Sequence, residues 1–234
     1  MLEASAGLEG AARVPPDPPP GGEGGRTVRS EIRHYYLRRW HSITGIFPVG
    51  VFLVQHFLGN AFALRGPEAF NQHAEFLLGL PYLPVLEIGG VFGPLLFHGL
   101  YGLVVTAEGD FAHPGHGIGL RYHNLAYLLQ RISGVLLILF ITYHVWNTRV
   151  QGVFFGRTID YAYMARYFAP TPEKLIYILG IVCACYHFSH GLFNLAYKWG
   201  FTVSARAQQD MTYVSYVVFA AMSAVGIHIL LSFK

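Results

Sequence analysis

Five long stretches without Asp, Glu, Lys or Arg dominate the pattern of hydrophobic and polar positions along this chain. Each of them extends to roughly the 20 residues that a helix needs to cross about 30 Å of hydrocarbon. Inside a bilayer, an open chain satisfies its backbone polar groups only as a helix. We therefore predict an all-α fold, an integral membrane bundle of five transmembrane helices. The five stretches are residues 41–64, 88–107, 132–148, 175–197 and 211–233.

The remaining residues divide the chain into a tail and a membrane domain. The first thirty residues are rich in Pro, Gly and Ala and contain no apolar segment of the kind found in a signal peptide. We predict that residues 1–34 form a disordered cytoplasmic N-terminal tail. Residues 35–234 then form the five-helix transmembrane domain.

Short elements are expected in the connections between the spans. Residues 68–78 have the pattern of an amphipathic helix that lies on the membrane surface. A second short helix is predicted around residues 161–167, before two prolines. Residues 108–122 are rich in Gly and His and are predicted to form a loop. Pro48 is expected to kink the first span, which neighbouring helices can tolerate.

Composition supports membrane residence and narrows the range of partners. The chain is 53% hydrophobic and only 12% charged, whereas a soluble domain has about 25% charged residues. The net charge of +3 is small and no basic stripe is present, so nucleic acid is not expected as a partner. Cys183 and Cys185 lie two positions apart, on different helix faces, and are interpreted as small core residues.

The distribution of Lys and Arg predicts an orientation. With the N-terminus in the cytoplasm, nine of these residues lie on the inner side and six on the outer side, which agrees with the positive-inside rule. Five spans then place the C-terminus outside. The inner set is Arg26, Arg29, Arg33, Arg38, Arg39, Arg121, Arg131, Lys198 and Arg206; the outer set is Arg65, Arg149, Arg157, Arg166, Lys174 and Lys234.

One histidine from each of the first four spans stands out, namely His56, His98, His144 and His187. Ionisable side chains within a span are costly and indicate function. His98 and His187 lie roughly 14 and 16 Å from the inner ends of their helices, at 1.5 Å per residue. His56 and His144 lie roughly 13 and 7 Å from the outer ends. The topology therefore predicts two pairs at two depths, each suited to bind one haem iron from both sides.

Other interpretations of these histidines stay open. A single histidine considered alone is better explained as a core or interhelical hydrogen-bonding residue, and only the four together favour haem ligation. His190, three positions after His187, is an alternative ligand or a partner for a haem propionate or water. We see no reason to choose zinc, because no carboxylate or thiolate joins the histidines at ligand spacing.

Polar groups and glycines near the predicted ligands suit a bound macrocycle. Propionates need hydrogen-bond donors at a membrane edge, and the inner edge offers Arg39, His41, Ser42, Arg131 and Lys198. Small residues would let the macrocycle approach the backbone. These are Gly45, Gly50, Gly99, Gly102, Gly134 and Gly191.

Several motifs resemble the di-haem cytochrome b membrane-anchor subunit of bacterial succinate dehydrogenases, the five-helix type that also occurs in some fumarate reductases. The resemblance covers about residues 35–233 and depends on the order and spacing of the motifs. They are RRWHSITGIFPVGVFLVQH, RGPEAFNQHAEFL, PLLFHGLYG, LLQRISGVLLILFITYHVWNTR and YHFSHGLFN.

This resemblance implies a subunit in a bacterial plasma membrane that anchors a flavoprotein (FAD) subunit and an iron–sulfur subunit on the cytoplasmic face. Electrons would pass through two b haems to quinone, with menaquinone as the expected acceptor. The family pattern places His56 and His144 on the distal haem and His98 and His187 on the proximal haem. It also suggests His41, Ser42 and Lys198 as proximal propionate contacts, and some relatives have Asn at the position of His190.

A quinone site and the direction of reaction are less constrained by the sequence. Glu87 is the only acidic residue between residues 81 and 107, so a proton relay at a quinone near the distal haem is one hypothesis. A carboxylate that begins the second helix at headgroup level is the other. The alternatives to succinate:quinone oxidoreductase are a quinol:fumarate reductase, a stand-alone transmembrane di-haem cytochrome b reductase and a structural anchor without haem.

Overall fold

The computed structural model describes residues 24–108 and 122–234, and within them the chain is helical without a β-strand. Five helical stretches in this part of the chain are long and apolar enough to cross a membrane. The predicted all-α membrane bundle with five transmembrane helices is therefore confirmed. The spans are Ser30–Arg65, Leu83–Glu108, Leu125–Phe155, Thr171–Lys198 and Ala205–Ser232.

The first span is interrupted near its middle, as expected from Pro48. Helix α1 ends at Ile46, and α2 begins at Val49 after a cis Phe47–Pro48 bond. Proline has no N–H to donate, and its ring clashes with the preceding turn, so α1 cannot continue through it. The span consists of α1 (Gly24–Ile46), α2 (Val49–Asn60) and a 3₁₀-helix (Ala61–Arg65).

The second and third spans each contain a π-helical segment at one end. The second span consists of α4 (Leu83–Val85), a π-helix (Leu86–Phe92) and α5 (Gly93–Glu108). The third consists of α6 (Tyr122–Val145), a π-helix (Trp146–Val150) and α7 (Gln151–Phe155). Such segments hold one more residue in a turn than an α-helix and often occur at functional sites. They were not predicted, because a continuous apolar run has no alternation of polar and apolar residues that would reveal an extra residue in a turn.

Both predicted short helices are present in the connections. They are α3 (Pro67–Leu78) and α8 (Tyr161–Phe168). Asp160 caps α8 by accepting a hydrogen bond from the Tyr163 amide at 2.7 Å. The last two spans are formed by α9 (Thr171–Lys198) and α10 (Ala205–Ser232). The predicted loop over residues 108–122 lies almost entirely outside the described residues, as do residues 1–23 of the predicted tail.

The chain divides into residues 1–37 and residues 38–234, and the second unit contains the bundle. Within this unit, α9 packs against both α6 and α10. Ion pairs join Arg38 to Glu108 at 3.0 Å and Glu87 to Arg149 at 2.7 Å. These pairs connect the ends of consecutive spans, which therefore run antiparallel. We call the two ends of the bundle the His41 end and the Glu87 end.

Short helices α3 and α8 close the Glu87 end of the bundle around an aromatic core. The Tyr161 hydroxyl donates a hydrogen bond to the Ser232 carbonyl at 2.6 Å, which joins α8 to the last turn of α10. Outward faces of the spans carry many exposed apolar side chains, as expected of helices surrounded by lipid. The buried core residues at this end are Ala63, Phe70, Met164, Phe168, Tyr177, Ile229, Leu230 and Phe233.

Close approach of α6 and α9 requires a glycine at one position. A methyl group on Gly180 would lie 2.3 Å from Cε2 and 2.4 Å from Cδ2 of Phe140. Real side-chain atoms do not come this close, so the Phe140 ring would have to move. That ring in turn packs against His144 and Tyr177, which leaves it little room.

We expect Gly180→Ala to destabilise the bundle by about 1–3 kcal/mol, because overpacking forces neighbouring side chains from their preferred positions. Thermal unfolding of the detergent-solubilised protein, followed by circular dichroism, measures the change. Gly90→Ala is the matched control, since a methyl group there meets nothing within 4 Å. Equal melting temperatures for the two variants would show that the Phe140 ring yields without cost.

Candidate functional site

A continuous apolar cavity with a volume of about 470 Å³ runs along the inside of the bundle. All four histidines predicted from the first four spans line it. Its His41 end is lined by His41 and Arg131, and its other end by Glu87 and Arg149. The volume falls in the range of roughly 300–1,000 Å³ that is typical of ligand and cofactor pockets.

Within the cavity the four histidines form two pairs, with the partners given by the depth argument. The rings of His98 and His187 have centres 6.1 Å apart and planes at 87°. Those of His56 and His144 have centres 5.7 Å apart and planes at 81°. Metal–nitrogen bonds of about 2 Å on either side of one ion place the centres of two opposed imidazoles about 6 Å apart. Both pairs therefore have the spacing needed to hold an iron between them.

Backbone carbonyls orient the imidazoles of the first pair. His98 Nδ1 lies 2.9 Å from the carbonyl oxygen of His41, and His187 Nδ1 lies 3.1 Å from that of Gln130. Because a carbonyl only accepts, each Nδ1 must carry the proton. This assignment leaves Nε2 of both rings unprotonated, which is the form that binds a metal. The Ser133 hydroxyl, 3.2 Å from His187 Nδ1, adds a second polar neighbour.

Side chains, rather than carbonyls, contact the imidazoles of the second pair. His144 Nδ1 lies 3.2 Å from the Tyr177 hydroxyl. His56 Nε2 lies 3.3 Å from the amide nitrogen of Asn60, which also donates to the His56 carbonyl at 2.8 Å. In this arrangement the Asn60 amide contacts Nε2 of His56, the nitrogen that would bind a metal. The Asn60 side chain must therefore move away from Nε2 before this pair can hold a metal.

Glycines make room for the imidazoles of the first pair. A methyl group on Gly45 would lie 2.4 Å from His98 Cε1, and one on Gly134 would lie 3.0 Å from His187 Cε1. Gly102 lies in the same way beneath His41. By contrast, Gly99 and Gly191 have space for a methyl group at ordinary contact distance. The predicted set of small residues therefore includes positions that the rings require and positions that they do not.

Arg131 is buried at the His41 end and connects two spans. Its guanidinium donates hydrogen bonds to the Thr106 carbonyl in the second span and, at 3.2 Å, to the Tyr127 hydroxyl one turn earlier. The guanidinium carbon also lies 5.2 Å from the centre of the Tyr127 ring. Arg131 therefore lines the cavity and at the same time holds the second span to the third.

The other predicted propionate partners do not line the cavity. Arg39 places its guanidinium 4.8 Å from the centre of the Trp199 ring, just after α9. Ser42 is half-buried in α1, and Lys198 lies in the last turn of α9. His190 stacks between Tyr186 and Phe193, with ring centres 5.8 and 5.6 Å away.

At the opposite end of the cavity, Glu87 and Arg149 form an ion pair with a 2.7 Å contact. Each residue belongs to one of the two π-helical segments. Both side chains are partly shielded, with 25% and 30% of their surface exposed. A carboxylate and a guanidinium are thus placed together where the cavity approaches the membrane edge.

Comparison with known proteins identifies the family of this chain. Residues 116–228 match the family described as succinate dehydrogenase/fumarate reductase transmembrane subunit. The succinate dehydrogenase cytochrome b558 subunit of Bacillus subtilis (strain 168) is 37% identical over 203 residues, which are 86% of this chain and 98% of that relative. The chain belongs to the succinate dehydrogenase/fumarate reductase transmembrane subunits. The resemblance of its motifs to this family is thereby confirmed.

Sequence reasoning missed three contributions to the site of this transmembrane subunit. Arg149 was read only as the outer end of its span, although it pairs with Glu87. Gln130 carried a usable signal, because a polar amide beside Arg131 inside a span must find a partner. It donates to the His187 carbonyl at 3.1 Å. Tyr177 carried no signal, since tyrosine is frequent along the whole chain.

Replacing Arg131 tests its role in holding the second span to the third. We expect Arg131→Leu to destabilise the transmembrane subunit by about 1–3 kcal/mol, because the Thr106 carbonyl loses its buried donor. Thermal unfolding in detergent measures the loss. Arg206→Leu, at an exposed position at the start of α10, serves as the control. A melting temperature unchanged by Arg131→Leu would contradict the structural role.

Proposed function

We propose that this protein is the di-haem cytochrome b membrane anchor of a succinate:quinone oxidoreductase. It would carry electrons from an iron–sulfur subunit through two b haems to a quinone, with menaquinone favoured by the family resemblance. The observation that carries the proposal is the presence of two opposed histidine pairs in one apolar cavity. A quinol:fumarate reductase would use the same residues in the reverse direction.

The donor set fits haem iron at both pairs. Imidazole is a common ligand of haem iron, so the two histidines of each pair would hold one haem between them. A haem b bound at each pair would supply a one-electron carrier with no open position for oxygen. The His98–His187 pair supports this use most directly, because its ring protons are already committed to backbone carbonyls.

The chain's own residues would orient the cofactors and keep water away from them. Apolar side chains line most of the cavity, and a low local dielectric strengthens each hydrogen bond inside it. At the His41 end, His41 and Arg131 line the cavity and are the best-placed donors for haem propionates. Arg39, Ser42 and Lys198 lie nearby as further donors, whereas His190 stacks on a different face of α9.

The His41 end is the side that we assign to the cytoplasm and to the partner subunits. The N-terminal arginines favour this orientation under the positive-inside rule. The His98–His187 pair then lies proximal to the iron–sulfur and flavoprotein (FAD) subunits, and the His56–His144 pair is distal. This order would carry electrons across a bacterial plasma membrane toward its outer side.

We assign quinone chemistry to the Glu87 end of the cavity. A carboxylate that opens onto the cavity can accept or deliver the protons that accompany quinone reduction. The Arg149 guanidinium donates to the Glu87 carboxylate at 2.7 Å and would hold that carboxylate in one orientation at the end of the cavity. The proximity of the His56–His144 pair, which lines the same cavity, supports electron delivery at this end.

Two haems b per chain are expected in the purified complex by pyridine haemochrome assay. His98→Ala and His144→Ala should each remove one spectral component, because each breaks one of two separate axial pairs. His228→Ala is the matched control, since this exposed histidine of the fifth span does not line the cavity. Absence of haem from the unmutated complex, or survival of both components in both variants, would refute the ligand assignment.

Glu87→Gln should lower quinone-linked turnover by at least about tenfold, since positioned proton transfer contributes about 10²–10⁴-fold to rates. Haem content should stay at the level of the unmutated complex. Succinate oxidation with an artificial acceptor that bypasses the membrane subunit reports on the partner subunits and should not change. Glu75→Gln, on the exposed face of α3, is the control. Normal quinone turnover in Glu87→Gln would exclude the relay.

A further inference from the structure

The two histidine pairs differ in what holds their imidazoles, and this difference centres on Tyr177. At the His98–His187 pair, both Nδ1 atoms face backbone carbonyls. At the other pair, His144 Nδ1 faces a phenol hydroxyl at 3.2 Å. We propose that Tyr177 is the positioning residue of His144, and that its hydroxyl sets the reduction potential of the haem at the His56–His144 pair alone. This inference rests on the function proposed above.

Tyr177 is held firmly enough to act in this way. It is 5% exposed and belongs to the aromatic core at the Glu87 end. Its ring packs edge-on against Phe140, with centres 5.2 Å apart, and against Phe168, with centres 4.7 Å apart. Phe140 also stacks on His144, at 6.0 Å and 20°. The phenol and the imidazole are therefore positioned by the same neighbours.

The hydroxyl is suitably placed to accept the imidazole proton. If His144 binds iron through Nε2, its Nδ1 carries the proton. The Nδ1–H group then donates a hydrogen bond to the Tyr177 hydroxyl oxygen. Accepting this proton fixes the tautomer and the rotation of the ring and raises the basicity of the ligand. A more basic axial ligand stabilises the oxidised iron, which lowers the reduction potential.

A second tyrosine extends this arrangement. The ring centre of Tyr167, in α8, lies 5.8 Å from that of Tyr177, with the ring planes at 76°. This edge-on contact packs Tyr177 against the short helix that closes this end of the bundle. Tyr167 makes no ring contact with His144, so it would act on the imidazole only through Tyr177.

The chemistry of the acceptors makes the effect selective. A backbone carbonyl cannot be removed by a side-chain substitution, so the His98–His187 pair keeps its acceptors in any such variant. Tyr177→Phe removes one oxygen atom and keeps the aromatic ring in the core. We expect the midpoint potential of the component that His144→Ala abolishes to shift upward, while that of the other component is unchanged.

Redox titration of the purified complex, followed by the haem absorption bands, measures both midpoints. Tyr186→Phe is the matched control, because it also removes a tyrosine hydroxyl from α9. That hydroxyl donates to the Ala126 carbonyl at 3.0 Å and not to a histidine. An upward shift confined to the His144 component in Tyr177→Phe supports the proposal. Unshifted midpoints, an equal shift of both components, or the same shift in Tyr186→Phe would overturn it.

Haem content covers the case in which Tyr177→Phe fails to load the haem at this pair. Loss of the His144 component alone, with the other component at its unmutated midpoint and Tyr186→Phe fully loaded, supports Tyr177 as the positioning residue of His144. Loss of both components in Tyr177→Phe would overturn it. Failure of the proposed function would look different, because the unmutated complex would then contain no haem b.

Discussion

An imidazole buried in an apolar bundle needs polar partners for its ring nitrogens, and the rest of the site depends on this constraint. Burying an unpaired polar group costs several kcal/mol in hydrocarbon. At the His98–His187 pair, the backbone supplies the partners. The carbonyls of His41 and Gln130 already belong to helices, but an oxygen with two lone pairs can accept a second hydrogen bond. Each imidazole is therefore oriented by a neighbouring helix rather than by its own.

Helix spacing follows from that requirement. A carbonyl can reach an imidazole on another helix only if the two backbones approach closely, and residues without a side chain allow this approach. Gly45 lies against His98 and Gly134 lies against His187. Each glycine is on the helix that supplies the carbonyl for that imidazole. The same small residues that admit the rings thus bring their hydrogen-bond acceptors within reach. Helix packing and imidazole orientation therefore depend on the same residues in this bundle.

Much of this arrangement was predictable because it depends on quantities that a sequence carries. Length and apolarity set the spans, and the rise per residue set the depths that pair His98 with His187 and His56 with His144. Rotation about the helix axis was harder to predict. His190, three residues from His187, is near it along α9 but faces Tyr186 and Phe193. Glu87 was singled out by its isolation, yet its partner depends on the register between two spans, which no local pattern encodes.

The two π-helical segments change the direction in which side chains at the Glu87 end point around the helix axis. A π turn accommodates an extra residue within an otherwise α-helical ladder, and one residue corresponds to about 100° of rotation in an α-helix. Glu87 and Arg149 therefore face directions that a regular helix continuing from His98 or His144 would not give them. Loss of a single residue from either segment would restore the α-helical phase and swing one of these charges out of the cavity. His98 and His144, which lie in the α-helical parts of the same two spans, would keep their places. Insertions and deletions at this end can thus change which side chains meet the membrane edge while the histidine pairs inside stay in register.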